Sequence, residues 1–419
     1  MKSYRLIQGG KIKVYSLAIY MILFITFFVH LCAFIYHPIK LMFVLLIAAV
    51  VLLNSGHGII KKMSTLDYLY MLTLIPFFFN NQDIQRGSWD NTIFQICATL
   101  VFLLLKNCSE WISLWVKFVV GACFFMVFCT VLFWLVPPIK VSVLSTVFPG
   151  NESILTTTAA IGLTHHYSAN GNFMAIAVGA FYWLGNDRKK TKYWIIIVVA
   201  VGCLLLTQKR GPLIWGSLAL LVSYYVYNSN KKSTRIFKII AFVVVAFAFL
   251  NLAEQFIPEL SVVFERFKID DTSNSDITFL SGREVLYEAA WKLFRQNPWL
   301  GVGWSGYANA ARIYTGIEEM TAHNIYLQLL AETGVVGFLI FVTLYICAIT
   351  RGIKCLQAAR KEKINVDERQ QKIMAFALFF IIYNVAYGMS GLVLTDIMMV
   401  YMTMFSIALF RNYDFYYQT

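Results

Sequence analysis

The chain has 419 residues and a net charge of +13, with 59% of its residues hydrophobic, 16% aromatic and only 14% charged, about half the charged share of an ordinary soluble domain. With a mean hydropathy of +0.66 and repeated apolar runs of bilayer length, the composition excludes a water-soluble globular enzyme, a disordered chain and a fibrous repeat. The expected fold is all-α, a polytopic membrane protein.

Apolar windows of roughly 20 residues predict about twelve transmembrane helices near 14–36, 38–57, 64–80, 91–107, 111–137, 168–185, 193–208, 212–229, 237–254, 335–350, 373–389 and 392–410. The first is preceded by Lys2, Arg5, Lys11 and Lys13. It is too long for a signal-peptide core and lacks a small-x-small cleavage site, so it reads as an uncleaved span. With the N-terminus inside, the inner connections hold 23 of the 35 basic residues, and the short outer loops hold only Lys40, Arg86, Lys140, Lys209 and Arg210. That asymmetry predicts cytoplasmic termini. It also explains the positive charge as a topology signal, which removes nucleic acid as a partner. Lys117 lies within a span and reads as a snorkelling residue. The cysteines Cys32, Cys97, Cys108, Cys123, Cys129, Cys203, Cys347 and Cys355 fall in spans or inner loops without a CxxC, so neither a disulfide framework nor a metal site is expected.

One connection is unlike the rest. About 80 residues from Glu254 to Gly334, with eleven acidic and six basic residues, form an outer loop too long to lack structure of its own. The chain therefore divides into 1–253, carrying nine spans, 254–334, an extracytoplasmic loop with amphipathic helices and the active site, and 335–419, carrying three spans and a cytoplasmic C-terminus.

Five stretches on the outer side hold the polar candidates. In THHYSAN, His165 and His166 read first as a polar pair at a span entrance and second as side chains that could hold a ligand. In TQKRGP, Lys209 and Arg210 sit at a span end, where a guanidinium either snorkels or meets a phosphate through two parallel hydrogen bonds. LSGREVLYEAAWKLFRQNP reads as an amphipathic helix, with Ser281 and Glu284 as a capping box and Asn297-Pro298 as a stop. Leu286, Ala290, Leu293 and Phe294 form its apolar stripe, and Arg283 lies beside an N-terminus suited to an anion. PWLGVGWSGY supplies turn glycines with Trp299, Trp304 and Tyr307; its tryptophans, like Trp291, read as interfacial anchors before sugar platforms. TAHNIYLQLLAETG reads as a helix from near Thr321 to a left-handed Gly334 cap, which puts His323 in the first turn as a neutral imidazole able to accept a proton. Near the end of the chain, Asp396 falls about one turn inside the last span, where an ionisable group either serves function or sits at the headgroups. The acidic cluster Asp270, Asp271 and Asp276 lacks a D-x-D or EF-hand spacing.

At TQKRG, GREVLYEAAW, NPWLGVGW and AHNIYLQLLAETGVVGF the chain resembles the O-antigen polymerase and ligase superfamily, over roughly residues 200 to 345 with looser support from THHYSANGNF. The resemblance implies a GT-C-like fold and an inverting, metal-independent glycosyl transfer from undecaprenyl diphosphate, without a cofactor, at the outer face of the plasma membrane. It implies that Arg210 and Arg283 bind the diphosphate and that His323 orients or deprotonates the acceptor hydroxyl. Lys209, Asn324, His166, Trp304 and Asp396 complete the candidate substrate-binding set. The expected function is a polysaccharide polymerase acting on lipid-linked donor and acceptor within membrane lipid, alongside a flippase and a chain-length regulator. The alternative within the superfamily is a ligase that passes the glycan to lipid A core or another acceptor. A transporter ranks third, because the ionisable candidates gather at the outer boundary and the two halves do not match.

Overall fold

The computed structural model describes residues 9–28, 63–78, 86–106, 109–185, 191–228, 283–316, 321–361 and 366–413. The expected spans at 38–57 and 237–254, and also Asp270, Asp271, Asp276 and Ser281, lie outside the described residues. Among the described residues every regular element is a helix: α1 (Gly9–Phe27), α2 (Thr65–Leu72), α3 (Ile75–Phe78), α4 (Arg86–Leu105), α5 (Glu110–Leu135), α6 (Pro137–Val147), α7 (Ser153–Thr156), α8 (Tyr167–Leu184), α9 (Thr191–Leu206), α10 (Arg210–Tyr227), α11 (Glu284–Gln296), α12 (Tyr307–Thr315), α13 (Ile325–Arg360), α14 (Glu368–Tyr387) and α15 (Ile397–Tyr413). The expected span at 64–80 is broken into α2 and α3, because Pro76 cannot donate the backbone bond that would carry the helix through. The short helices α6 and α7 were not expected.

Burial follows the logic of a protein dissolved in lipid. α15 is buried along its whole length and α14 along most of it, so these two form the centre of the bundle. Gly179 lets α8 close on α14, since a Cβ there would overlap the Phe379 ring. The outer helices turn large apolar side chains away from the protein: Phe128 on α5 is 61% exposed, Ile195 on α9 58% and Ile346 on α13 60%. A soluble surface does not carry so many large apolar groups; an apolar solvent explains them. Two described helices, Glu110–Leu135 and Ile325–Arg360, are long and apolar enough by themselves to cross a bilayer, and this is the surface of a membrane protein.

At one end of the bundle α2, α4 and α15 are tied by buried charge. Asp67 receives Lys106 Nζ at 3.0 Å on Oδ2, and Arg411 Nε at 3.1 Å on both carboxylate oxygens. The Ser64 N–H also donates to it, at 2.8 Å. At the opposite end α11, α12 and the start of α13 pack around Ala289, Ala290, Leu293, Tyr307, Ala311, Ala322 and Ala331, a small core of their own.

Candidate active site

The helix expected to end at Gly334 does end there, and a second helix follows directly. Gly334 has a positive φ (61°, with ψ −165°) and breaks the ladder, a kink that joins two helical pieces within Ile325–Arg360. The loop 298–303 repairs the break. Val335 and Val336 donate their N–H groups to the carbonyls of Pro298 and Trp299 (2.8 and 3.3 Å), while the carbonyls of Ala331 and Glu332 accept from Val302 and Gly303 (2.9 Å each). Four of the groups released by the bend thus find backbone partners in that loop. Two glycines permit the approach: a Cβ at Gly301 would overlap the Glu332 backbone, and one at Gly334 would overlap that of Trp299.

The same helix begins later than expected, at Ile325. Asn324 is its N-cap, its Oδ1 accepting from the N–H groups of Tyr326 and Leu327 at 3.0 and 3.2 Å. Thr321 is therefore not the start, and His323 stands just ahead of the cap rather than in the first turn. Its φ of 50° is left-handed, a conformation shared among the described non-glycine residues only by Gln208 and Ser305. Such backbone costs of order 1–3 kcal/mol and persists only where its surroundings impose it. α11 starts at Glu284, with Arg283 as its cap residue.

Three parts of the chain meet at this end. The Ile325 N–H donates to the Gly388 carbonyl at 2.8 Å, which docks the start of α13 on the end of α14. From α10, Trp215 Nε1 donates to Ser390 Oγ at 3.0 Å, and Gly211 lies against Ser390 and Tyr387. Arg210, the first residue of α10 and half-buried, and His323 are thereby held by the same turn, 387–390. Lys209, the residue before it, lies over the Tyr167 ring with Nζ 4.3 Å from the centroid. Tyr167 in turn stacks on His166, with centroids 4.1 Å apart.

The electrostatics of the half-buried His323 describe the site. Burial first, then the charges of Arg283, Lys209 and His166, lower its pKa from the ordinary 6.5. The charges acting on this imidazole are all of one sign, so it is held neutral within a positive potential. His166 is lowered in the same direction by burial, Lys209 and His165; its Nδ1 accepts the Ser168 N–H at 3.1 Å, which caps α8. A neutral imidazole can take a proton, and the potential around it favours an anion of high charge such as a diphosphate.

Residues 195–342 match the family described as O-Antigen ligase. This match supports the O-antigen polymerase and ligase superfamily. A search of curated proteins finds no match to the chain. The O-antigen ligase segment holds Lys209, Arg210, Arg283, Trp304, His323 and Asn324, whereas His166 and Asp396 come from outside it. The family ties the chain to glycan transfer of the polymerase or ligase type without separating the two.

Other expectations change. Trp304 is 3% exposed and Tyr307 fully buried, its hydroxyl donating to the Leu286 carbonyl at 2.7 Å; neither offers a ring face to a sugar, and Trp304 leaves the substrate-binding set. Trp299, at 69% exposed, is the open ring of that stretch. Asn324 is spent on capping through its oxygen. Asp396 is not a turn inside the last helix but the residue before α15, its Oδ1 accepting the Met399 N–H at 3.2 Å. Burial raises its carboxyl above the ordinary 3.8, against the Met399 N–H and the charge of His165. Tyr387 feels the charges of both Asp396 and Arg283, which brings Asp396 to the same end. Among the described residues no three His, Cys, Asp or Glu side chains gather as a metal cluster. Sequence reasoning overlooked Tyr167, Gln328 and Glu332; the AHNIYLQLLAE spacing, which puts Asn324, Gln328 and Glu332 four residues apart on one helical face, was the signal that could have found the last two.

Proposed function

We propose that the chain is a polysaccharide polymerase of the plasma membrane, with both termini cytoplasmic and its active site on the extracytoplasmic face. It transfers a growing glycan from undecaprenyl diphosphate to a hydroxyl of a lipid-linked repeat unit. His323 takes the hydroxyl proton as the acceptor oxygen bonds to the anomeric carbon, and the carbon–oxygen bond to the diphosphate breaks in the same displacement, inverting the anomeric centre. Arg210 and Arg283 hold the charge on the departing undecaprenyl diphosphate, with Lys209 beside them, so neither a cofactor nor a metal is called for. His166 and Asp396 hold the acceptor. A flippase that supplies the repeat unit and a regulator of chain length are the expected partners. The domain division is the one read from the sequence, with the loop 254–334 contributing Arg283 and His323 to the site between two groups of spans.

The observation that carries this reading is the docking of the starts of α10 and α13 on the one turn 387–390, which holds Arg210 and His323 at the same end, where burial and then the charges of Arg283, Lys209 and His166 lower the His323 pKa. A ligase reading has support of its own, since the matched family is described as O-Antigen ligase and the donor half of the site would be unchanged. Incubation of the purified protein with defined lipid-linked repeat units decides between them: a ladder of lengthening products marks the polymerase, and a single transfer that requires an added second acceptor marks the ligase. Long product from any two of Arg210→Ala, Arg283→Ala and His323→Ala would refute the site. Activity is expected to survive a chelator; a loss restored by magnesium would overturn the metal-independent step.

A further inference from the structure

The residue before His323 is tied, through Gln328, to a buried carboxylate that the transfer chemistry does not use. Gln328, about one helical turn into α13, is 5% exposed, and Glu332, about two turns in, is 2% exposed. Burying a carboxylate is costly unless its oxygens are satisfied. Here they are satisfied by specific donors. Glu332 Oε1 accepts Gln328 Nε2 at 3.0 Å and the Tyr307 N–H at 3.3 Å, and the Ser305 N–H also bonds to the carboxylate. The other end of the Gln328 amide, Oε1, accepts the Ala322 N–H at 3.2 Å. Only one orientation of that amide serves both neighbours, because Ala322 offers a donor and Glu332 presents an acceptor.

Ala322 precedes His323 and is itself fully buried. The left-handed His323 backbone is thus clamped on one side by the Gln328 amide and on the other by the Asn324 cap and the Ile325 bond to Gly388. A second left-handed residue, Ser305 with φ 59°, is held by the far end of the same chain of bonds. Two of the strained positions of this end are therefore fastened to one carboxylate.

We propose that Glu332, acting through Gln328, is a positioning residue that holds His323 at the angle from which it takes the acceptor's proton. This rests on the reading of His323 as the base. A misplaced base of this kind lowers the rate of the bound complex more than it weakens binding.

The test uses the purified full-length protein, defined lipid-linked donor and acceptor, and saturation curves that separate kcat from KM. Glu332→Ala and Gln328→Met should each lower kcat by about tenfold or more with KM within about twofold. Glu332→Gln keeps the accepting oxygen and should return at least about a third of wild-type kcat. The double variant Glu332→Ala/Gln328→Met should fall no further than the worse single variant, because both break one chain of bonds. Wild-type kcat in Glu332→Ala and Gln328→Met, an effect confined to KM, or a loss that Glu332→Gln fails to repair would each overturn the proposal. If Glu332→Ala yields no folded protein, Gln328→Met decides by the same criteria. His323→Ala is measured beside them. Wild-type turnover there defeats the assignment of the base itself, whereas loss there with full kcat in Gln328→Met and Glu332→Ala defeats only the positioning role.

Discussion

The two ends of the bundle both gather cations, and they dispose of the charge in opposite ways. At the Asp67 end, Lys106 and Arg411 converge on one buried carboxylate at 3.0 to 3.1 Å. At the His323 end, burial and then the charges of Arg283, Lys209 and His166 lower the pKa of an imidazole and favour its neutral form. A carboxylate sits in each region, but Glu332 is turned toward backbone N–H groups and an amide. Charge closed on itself fastens helices together, while charge left acting on a proton acceptor is available to a substrate.

Variants can break that contrast. Asp67→Ala strips the common partner from two buried cations and should cost about 3–5 kcal/mol, read as a lower thermal midpoint, with turnover per folded molecule unchanged; loss of turnover at constant stability would erase the distinction between the ends. Arg210→Ala and Arg283→Ala should show the reverse, turnover lowered about 10²–10³-fold with the thermal midpoint nearly that of the wild type. Gly334→Ala puts a Cβ into the Trp299 backbone and strains a left-handed position; a cost of about 1–3 kcal/mol is expected, with faster hydrogen exchange at Val302, Gly303, Val335 and Val336. The smallest effect sharpens the electrostatics. Because Lys209 helps to lower the His323 pKa, Lys209→Met removes a positive charge and lets that pKa rise. The acid limb of the rate profile, which climbs as His323 loses its proton, should therefore move to higher pH. A limb that stays in place or moves down would show that the lysine does not act on the base.

How much of this was legible in the sequence varies by element. The helical fold was, because apolar runs of bilayer length leave little else. The residues of the His323 end were legible from short motifs, but their relations were not. Thr321 looked like a helix start, and only the fold shows Asn324 doing that work with His323 strained ahead of it. Gly334 was read as a stop, correctly in its left-handed φ; the helix resumes because the loop 298–303 replaces the lost bonds, a tertiary effect. The aromatic spacing around Trp304 does not distinguish a ring that faces a sugar from one packed in a core. A hydropathy window smoothed over the turn that carries Asp396 and placed it inside a helix. Lys106 and Arg411 counted only as topology markers, since a partner at Asp67, 344 residues from Arg411, leaves no local trace.

The central claim is that a neutral imidazole within a positive potential performs the transfer. Its most direct test is the turnover of purified His323→Ala with saturating lipid-linked donor and acceptor. The account predicts a fall of about 10²–10⁴-fold with the donor KM close to that of the wild type. Turnover within about threefold of the wild type, or a loss that vanishes at higher donor concentration, would contradict it.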